Sequence, residues 1–108
     1  MDMVQLHSWE DYLSLPVTKW NIKQPAVNDA SRADALDSGG LDLVVTPGLG
    51  FTKDGLRLGR GKGYYDAFLA KCAAVKIPKT IGLAFSVQLC ENIPVGPKDI
   101  QIDKVLYQ

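Results

Sequence analysis

Apolar side chains recur at helical spacing from residue 63 to about residue 74. Tyr64, Tyr65, Phe68, Leu69 and Cys72 fall on that rhythm, and alanines fill much of the rest. Pro78 closes the segment. On either side the rhythm changes. Residues 41–46 form a β-rich apolar run bounded by Gly40 and Pro47, which reads as a strand buried on both faces. Residues 80–85 read as a second buried strand, and residues 100–107 contain the last one. Strand, helix, strand with apolar strands implies a right-handed βαβ unit and a parallel sheet. The expected fold class is α/β: a three-layer-type parallel or mixed sheet with flanking helices.

The rest of the chain is less periodic. Residues 1–6 alternate in part and suggest a short strand. Ser8 suits the N-cap of a helical turn through Glu10, Asp11 and Leu13, ended by Pro16. Residues 19–27, near Pro16 and Pro25, read as extended or loop; residues 28–36 read as a brief helix or loose loop stopped by Gly39-Gly40. Residues 47–61 form a long glycine-rich connection, and long ordered loops are often functional. A short helical turn is expected in residues 86–91. In open α/β sheets ligands sit outside the carboxyl ends of the strands. The 47–61 connection starts at such an end, and the loop after Phe85 should lie near it. Asp99 is therefore expected to approach Asp66 despite their separation in sequence.

Composition narrows the function. At 108 residues the chain is one domain or part of one, and its 46% apolar content suits a packed core. Twelve basic and 12 acidic residues give zero formal net charge, which argues against a general nucleic-acid or membrane-surface binder. Cys72 and Cys90 form neither a disulfide framework nor a zinc site and read as reduced, buried thiols. The lone His7 reads as a surface or packing residue. No signal peptide or bilayer-spanning run is visible, so the expected compartment is the cytoplasm. A targeting segment ahead of Met1 would leave a mitochondrial destination open.

The densest chemistry lies in Arg57, Leu58, Gly59, Arg60, Gly61, Lys62, Gly63, Tyr64, Tyr65 and Asp66. Alternating glycines, three cations and a carboxylate precede a helix at once. A helix start points free backbone N–H groups at whatever lies over it. Glycines permit positive φ and close approach, and Arg57, Arg60 and Lys62 suit phosphate or carboxylate groups. Asp66 suits a metal bridging phosphate oxygens. The bland alternative is a solvated basic turn with Asp66 offsetting the helix dipole. The run is not a Walker A loop, because Leu56 stands where its first glycine belongs and Gly63 follows Lys62. Nor is it a dinucleotide fingerprint, because Tyr64 replaces the third glycine.

The wider segment resembles the 5-formyltetrahydrofolate cyclo-ligase (methenyltetrahydrofolate synthetase) family. The resemblance rests on the apolar strand ending in Pro47-Gly48, the Gly50-Phe51 step, Asp54-Gly55-Leu56, the glycine run, and the closing Asp103-Lys104-Val105-Leu106-Tyr107. Trp20-Asn21-Ile22-Lys23-Gln24-Pro25 resembles a further family segment. The match runs over residues 1–108 and implies the C-terminal part of a cyclo-ligase domain. Members carry a substantial N-terminal half that has no counterpart here, so Met1 would be an internal or alternative start.

The resemblance implies ATP- and magnesium-dependent conversion of 5-formyltetrahydrofolate, with or without a polyglutamate tail, to 5,10-methenyltetrahydrofolate. Phosphorylation of the formyl oxygen would make it a leaving group for attack by N10. The resemblance also implies that the run from Arg57 to Tyr65 holds ATP. Arg60, Gly61, Lys62, Gly63 and Tyr64 would border the folate, with Arg60, Lys62 and Tyr64 catalytic. Asp66 and Asp99 would hold magnesium, and Trp20 would stack on the folate. Asp99 reads alternatively as a turn residue, Tyr64 as packing at the helix start, and Trp20 as core. A truncated, inactive isoform with a partial nucleotide site is the competing reading. Loss of neighbouring strands would expose a sheet edge open to association.

Overall fold

The computed structural model describes residues 1–26 and 29–108. The readings of 19–27 and 28–36 touch Val27 and Asn28, which lie outside the described residues.

Three parallel strands build the central sheet: β1 (Leu43–Val45), β4 (Lys79–Ala84) and β5 (Lys104–Tyr107), in the order β1-β4-β5. Between β1 and β4 come β2 (Gly50–Phe51), β3 (Arg57–Leu58) and helix α2 (Tyr64–Val75). This is the expected strand–helix–strand crossover, and the α/β class follows from it.

Helix α2 uses its apolar rhythm as the sequence implies. Phe68, Leu69 and Cys72 are buried, and Leu69 packs with Val44 of β1 and with Ile102. Burial holds the Cys72 thiol above its ordinary pKa, as expected of an unreactive core cysteine; Cys90 is free and half-buried. The register pairs Val44 with Thr80 and Gly82 with Val105, so these four residues share the covered face. The ring of Phe51 lies on that face too. A Cβ at Gly82 would come within 2.5 Å of it, so glycine is required there.

The opposite face is open. Leu43, Val45, Leu83 and Leu106 are 43–58% exposed. The expectations that residues 41–46 are buried on both faces and that residues 80–85 form a buried strand are therefore corrected: β4 ends at Ala84, and Leu83 and Phe85 are exposed. The 41–46 run is apolar on both sides, but the described residues bury only the side carrying Val44.

The 47–61 connection is not a plain loop. β2 and β3 pair as an antiparallel hairpin, Gly50 with Leu58 and Phe51 with Arg57. Gly55 in its turn has φ 101°, and its carbonyl accepts the Ile102 N–H at 2.8 Å. The Phe51 carbonyl accepts the Cys90 N–H at 2.8 Å, so the hairpin is tied to the β4–β5 connection at two points.

At the N-terminus α1 (Trp9–Leu13) starts where expected, with the Ser8 hydroxyl accepting the Asp11 N–H at 3.0 Å. Residues 1–6 form only a single antiparallel bridge, Val4 with Asp34, in place of a strand. Arg32 holds this region together by hydrogen bonds of 2.6 and 2.7 Å to the Asp11 carboxylate and 3.0 Å to the Gln5 carbonyl. Residues 86–88 form a 3-10 turn, as the pattern suggests.

Candidate functional site

The carboxyl end of β1 opens into a cavity of about 480 Å³. Pro47, Gly48 and Leu49 form one side, the run from Arg57 to Asp66 forms the floor and rim, and Pro94 and Asp99 close it. The location matches the rule for open α/β sheets. The loop after β4 approaches as expected, with the Gln88 side-chain amide donating to the Gly48 carbonyl at 3.3 Å.

Helix α2 begins at this cavity. Its N-cap, Gly63, has a left-handed backbone (φ 68°, ψ 20°), which favours glycine, and no side chain caps the first turn. The backbone N–H groups of that turn are left available to an external acceptor. Gly61 has φ 90°, and a Cβ at either Gly61 or Gly63 would meet nothing within 4 Å. These two glycines serve backbone shape and an open approach, not internal packing.

The three cations divide. Arg60 and Lys62 are exposed on the rim. Arg57 is turned inward, its side chain only 7% exposed. Its guanidinium donates to the Pro47 carbonyl at 3.0 Å, lies 3.6 Å from Asp66 Oδ1, and sits 5.7 Å from the centroid of the Tyr65 ring.

Asp66 and Asp99 come to the same cavity, as the topology suggested. Asp66 Oδ1 accepts the N–H of Ile100, the residue after Asp99, at 3.1 Å. Asp99 Oδ2 accepts the Gly96 N–H at 2.7 Å, so the turn role is real and coexists with its place on the wall. Among the described residues no group of three or more His, Cys, Asp or Glu side chains is placed to hold a metal. A cation here would take at most two carboxylates, the remainder being water and phosphate oxygens, which suits magnesium.

Tyr64 is exposed and lines the cavity; Tyr65 is half-buried behind it. Trp20 is not among the residues that line this cavity. It is 71% exposed, with the Lys19 ammonium 4.6 Å from its ring centroid, so the core reading does not hold. Pro47, Gly48, Leu49 and Pro94 line the cavity without carrying the charged or polar chemistry that marks a site in sequence. Pro47 and Gly48 stand at a strand's carboxyl end, a signal that pointed to them; Pro94 carries none.

Three likenesses bear on this site. The chain is 55% identical over 111 residues to a 5-formyltetrahydrofolate cyclo-ligase of Mus musculus, covering all of this chain and 54% of the relative. It is 39% identical over 118 residues to a mitochondrial 5-formyltetrahydrofolate cyclo-ligase of Arabidopsis thaliana, covering 98% of this chain and 42% of the relative. The solution structure of a 5,10-methenyltetrahydrofolate synthetase of Aquifex aeolicus aligns with a TM-score of 0.60 at 31% identity, covering 86% of this chain and 43% of that one. The chain thus spans about half the length of the curated relatives it matches. The sequence pattern of the 5-formyltetrahydrofolate cyclo-ligase family matches residues 1–108, and the chain belongs to that family.

Proposed function

We propose that this chain carries the phosphate-binding and phosphoryl-transfer part of a 5-formyltetrahydrofolate cyclo-ligase, acting with ATP and magnesium to form 5,10-methenyltetrahydrofolate. The observation that carries the reading is the uncapped start of α2, with Gly61 and Gly63 at positive φ and Arg60 and Lys62 free beside it.

ATP supplies the phosphoryl group that turns the formyl oxygen into a leaving group, and magnesium offsets charge on the phosphates. The residues of this chain bind and position. The first-turn N–H groups of α2 and the loop from Leu58 to Tyr65 receive phosphate oxygens. Lys62 and Arg60 reach over the cavity and offset the charge that develops during transfer. Asp66 and Asp99 would hold the cation. Tyr64, exposed on the wall, offers its hydroxyl to the transferring group or to the folate, which also meets Arg60, Gly61, Lys62 and Gly63. Arg57 and Tyr65 back the loop. The reaction is assigned to the cytoplasm, the name of the Arabidopsis relative keeping mitochondria open as a second compartment.

The test is the absorbance of methenyltetrahydrofolate formed by the purified 108-residue chain with ATP, magnesium and 5-formyltetrahydrofolate. Product in proportion to protein, lost in Lys62→Ala, supports the reading. Nucleotide binding without product identifies a partial site that needs further polypeptide. A folded chain with neither binding nor product overturns the proposal.

A further inference from the structure

The glycine-rich run presents its cations as if they were equivalent, but the packing around Arg57 separates it from the other two. Its side chain threads between two glycines. A Cβ at Gly48 would lie 2.9 Å from Arg57 Cγ, and a Cβ at Gly59 would lie 3.1 Å from its Nη1. Neither glycine has positive φ; a side chain at Gly48 would clash with Arg57 and with the Phe51 ring, and one at Gly59 would press on the guanidinium. The guanidinium then reaches three groups on two elements: the Pro47 carbonyl after β1, and the Tyr65 ring and Asp66 carboxylate in the first turn of α2. Its Nε is buried and has no hydrogen-bond partner in the structure. A residue selected only for charge would not need this degree of burial; a planar fork that joins the end of β1 to the start of α2 would.

We propose that Arg57 is a positioning residue, an internal strut that fixes the Asp66 carboxylate and the base of the glycine loop and does not itself bind phosphate. It acts through Asp66, whose Oδ1 also receives the Ile100 N–H. Orienting Asp66 thereby orients the segment that carries Asp99. The role rests on the site reading proposed above, but the packing that implies it does not.

The experiment has two arms. In the first, amide hydrogen exchange at Ile100 is followed by NMR in the wild-type chain and in Arg57→Lys, which keeps the charge and loses the fork. Exchange at Ile100 is expected to rise about tenfold with the overall fold retained. Gly59→Ala, which changes no charge but presses a methyl group on the guanidinium, is expected to move Ile100 the same way. It serves as the reading should Arg57→Lys fail to fold. In the second arm, magnesium-ATP affinity is measured for Arg57→Lys, Asp66→Asn and the double variant. Arg57→Lys is expected to cost about tenfold in the wild-type background, as supporting residues around metal ligands do. It should cost much less once Asp66 is already changed, while its effect multiplies with that of Lys62→Ala. Unchanged exchange at Ile100, or losses at Arg57 and Asp66 that simply multiply, overturns the proposal. Absence of any ATP binding by the folded wild type refutes the site reading instead, and the exchange arm then decides the role of Arg57 alone.

Discussion

Thr80 and Asp103 are locked to each other across the sheet. Asp103 Oδ2 accepts the Thr80 N–H at 2.8 Å and its hydroxyl at 3.1 Å, and the same hydroxyl accepts the Asp103 N–H at 2.9 Å. The lock sits where β5 is about to pair with β4, so it sets the end point of the connection that carries Pro94 and Asp99 to the cavity. Thr80 is buried, and Thr80→Val would leave the Asp103 N–H without its acceptor. A loss of about 1–3 kcal/mol in a urea melt is expected. Thr80→Ser keeps the hydroxyl and should retain most of that stability. Equal losses in the two variants would show that the hydroxyl is not what matters.

Arg60 and Lys62 are exposed on the rim, so replacing them should leave the fold alone. Arg60→Ala and Lys62→Ala are each expected to change stability by less than about 0.5 kcal/mol. Each should abolish ATP-dependent cyclisation, in this chain or in a full-length relative with the same loop. Near-normal turnover in both would refute their assignment to charge stabilisation.

Asp66→Asn keeps an oxygen for the Ile100 N–H but removes the charge from the cavity wall. The magnesium concentration needed for half-maximal ATP binding should rise about tenfold or more. An unchanged requirement, measured by titration at fixed ATP, would remove Asp66 from the proposed cation site.

How much of this was legible beforehand depends on length of signal. Helix α2 showed itself through Phe68, Leu69 and Cys72 at helical spacing, and Ser8 announced α1 by its capping chemistry. The β2–β3 hairpin did not show itself, because two-residue strands are too short to display alternation. The open sheet face was equally hidden. Leu43 and Val45 look like core residues in sequence, and only the sheet reveals that the described residues leave them about half exposed. Asp66 and Asp99 could be brought together by topology alone. That Arg57 turns inward while Arg60 turns outward is decided by hairpin pairing and by the space above Gly48 and Gly59, which the basic run does not encode.

Gly55 shows how tightly the hairpin is seated. Its φ of 101° is unfavourable for any side chain, and a Cβ there would lie 2.0 Å from the Ile102 carbonyl oxygen. Gly55→Ala must displace the hairpin turn or the segment leading to β5. A cost of about 1–3 kcal/mol is expected from backbone strain alone, with more from the clash. Gly61→Ala, also at positive φ but with open space around its Cβ, should cost less. Thermal melts of the two variants give the comparison, and a larger loss at Gly61 would contradict the seating described for Gly55.

Acid should loosen the N-terminal region before the sheet. Hydrogen bonds from Arg32, then from the His7 N–H, hold the Asp11 carboxyl well below the usual carboxylate range. Asp29 is also lowered, chiefly by hydrogen bonds from Ser31, and its carboxylate lies 3.3 Å from Arg32 Nε. For a carboxylate whose folded pKa is depressed, the stabilisation is complete above its unfolded value, about 4, and is lost as pH falls toward the folded value. The reporters are the amides of Gln5 and Ala35, which donate to the Ala33 and Met3 carbonyls across the Val4–Asp34 bridge. Their hydrogen-exchange protection, corrected for intrinsic rates, should fall below pH 4 while the amides of β4 keep theirs. In Arg32→Gln the low-pH step should disappear, because protection at Gln5 and Ala35 is already weak at neutral pH. The same acid profile in wild type and Arg32→Gln would show that the Asp11–Arg32 pair does not hold this region in place.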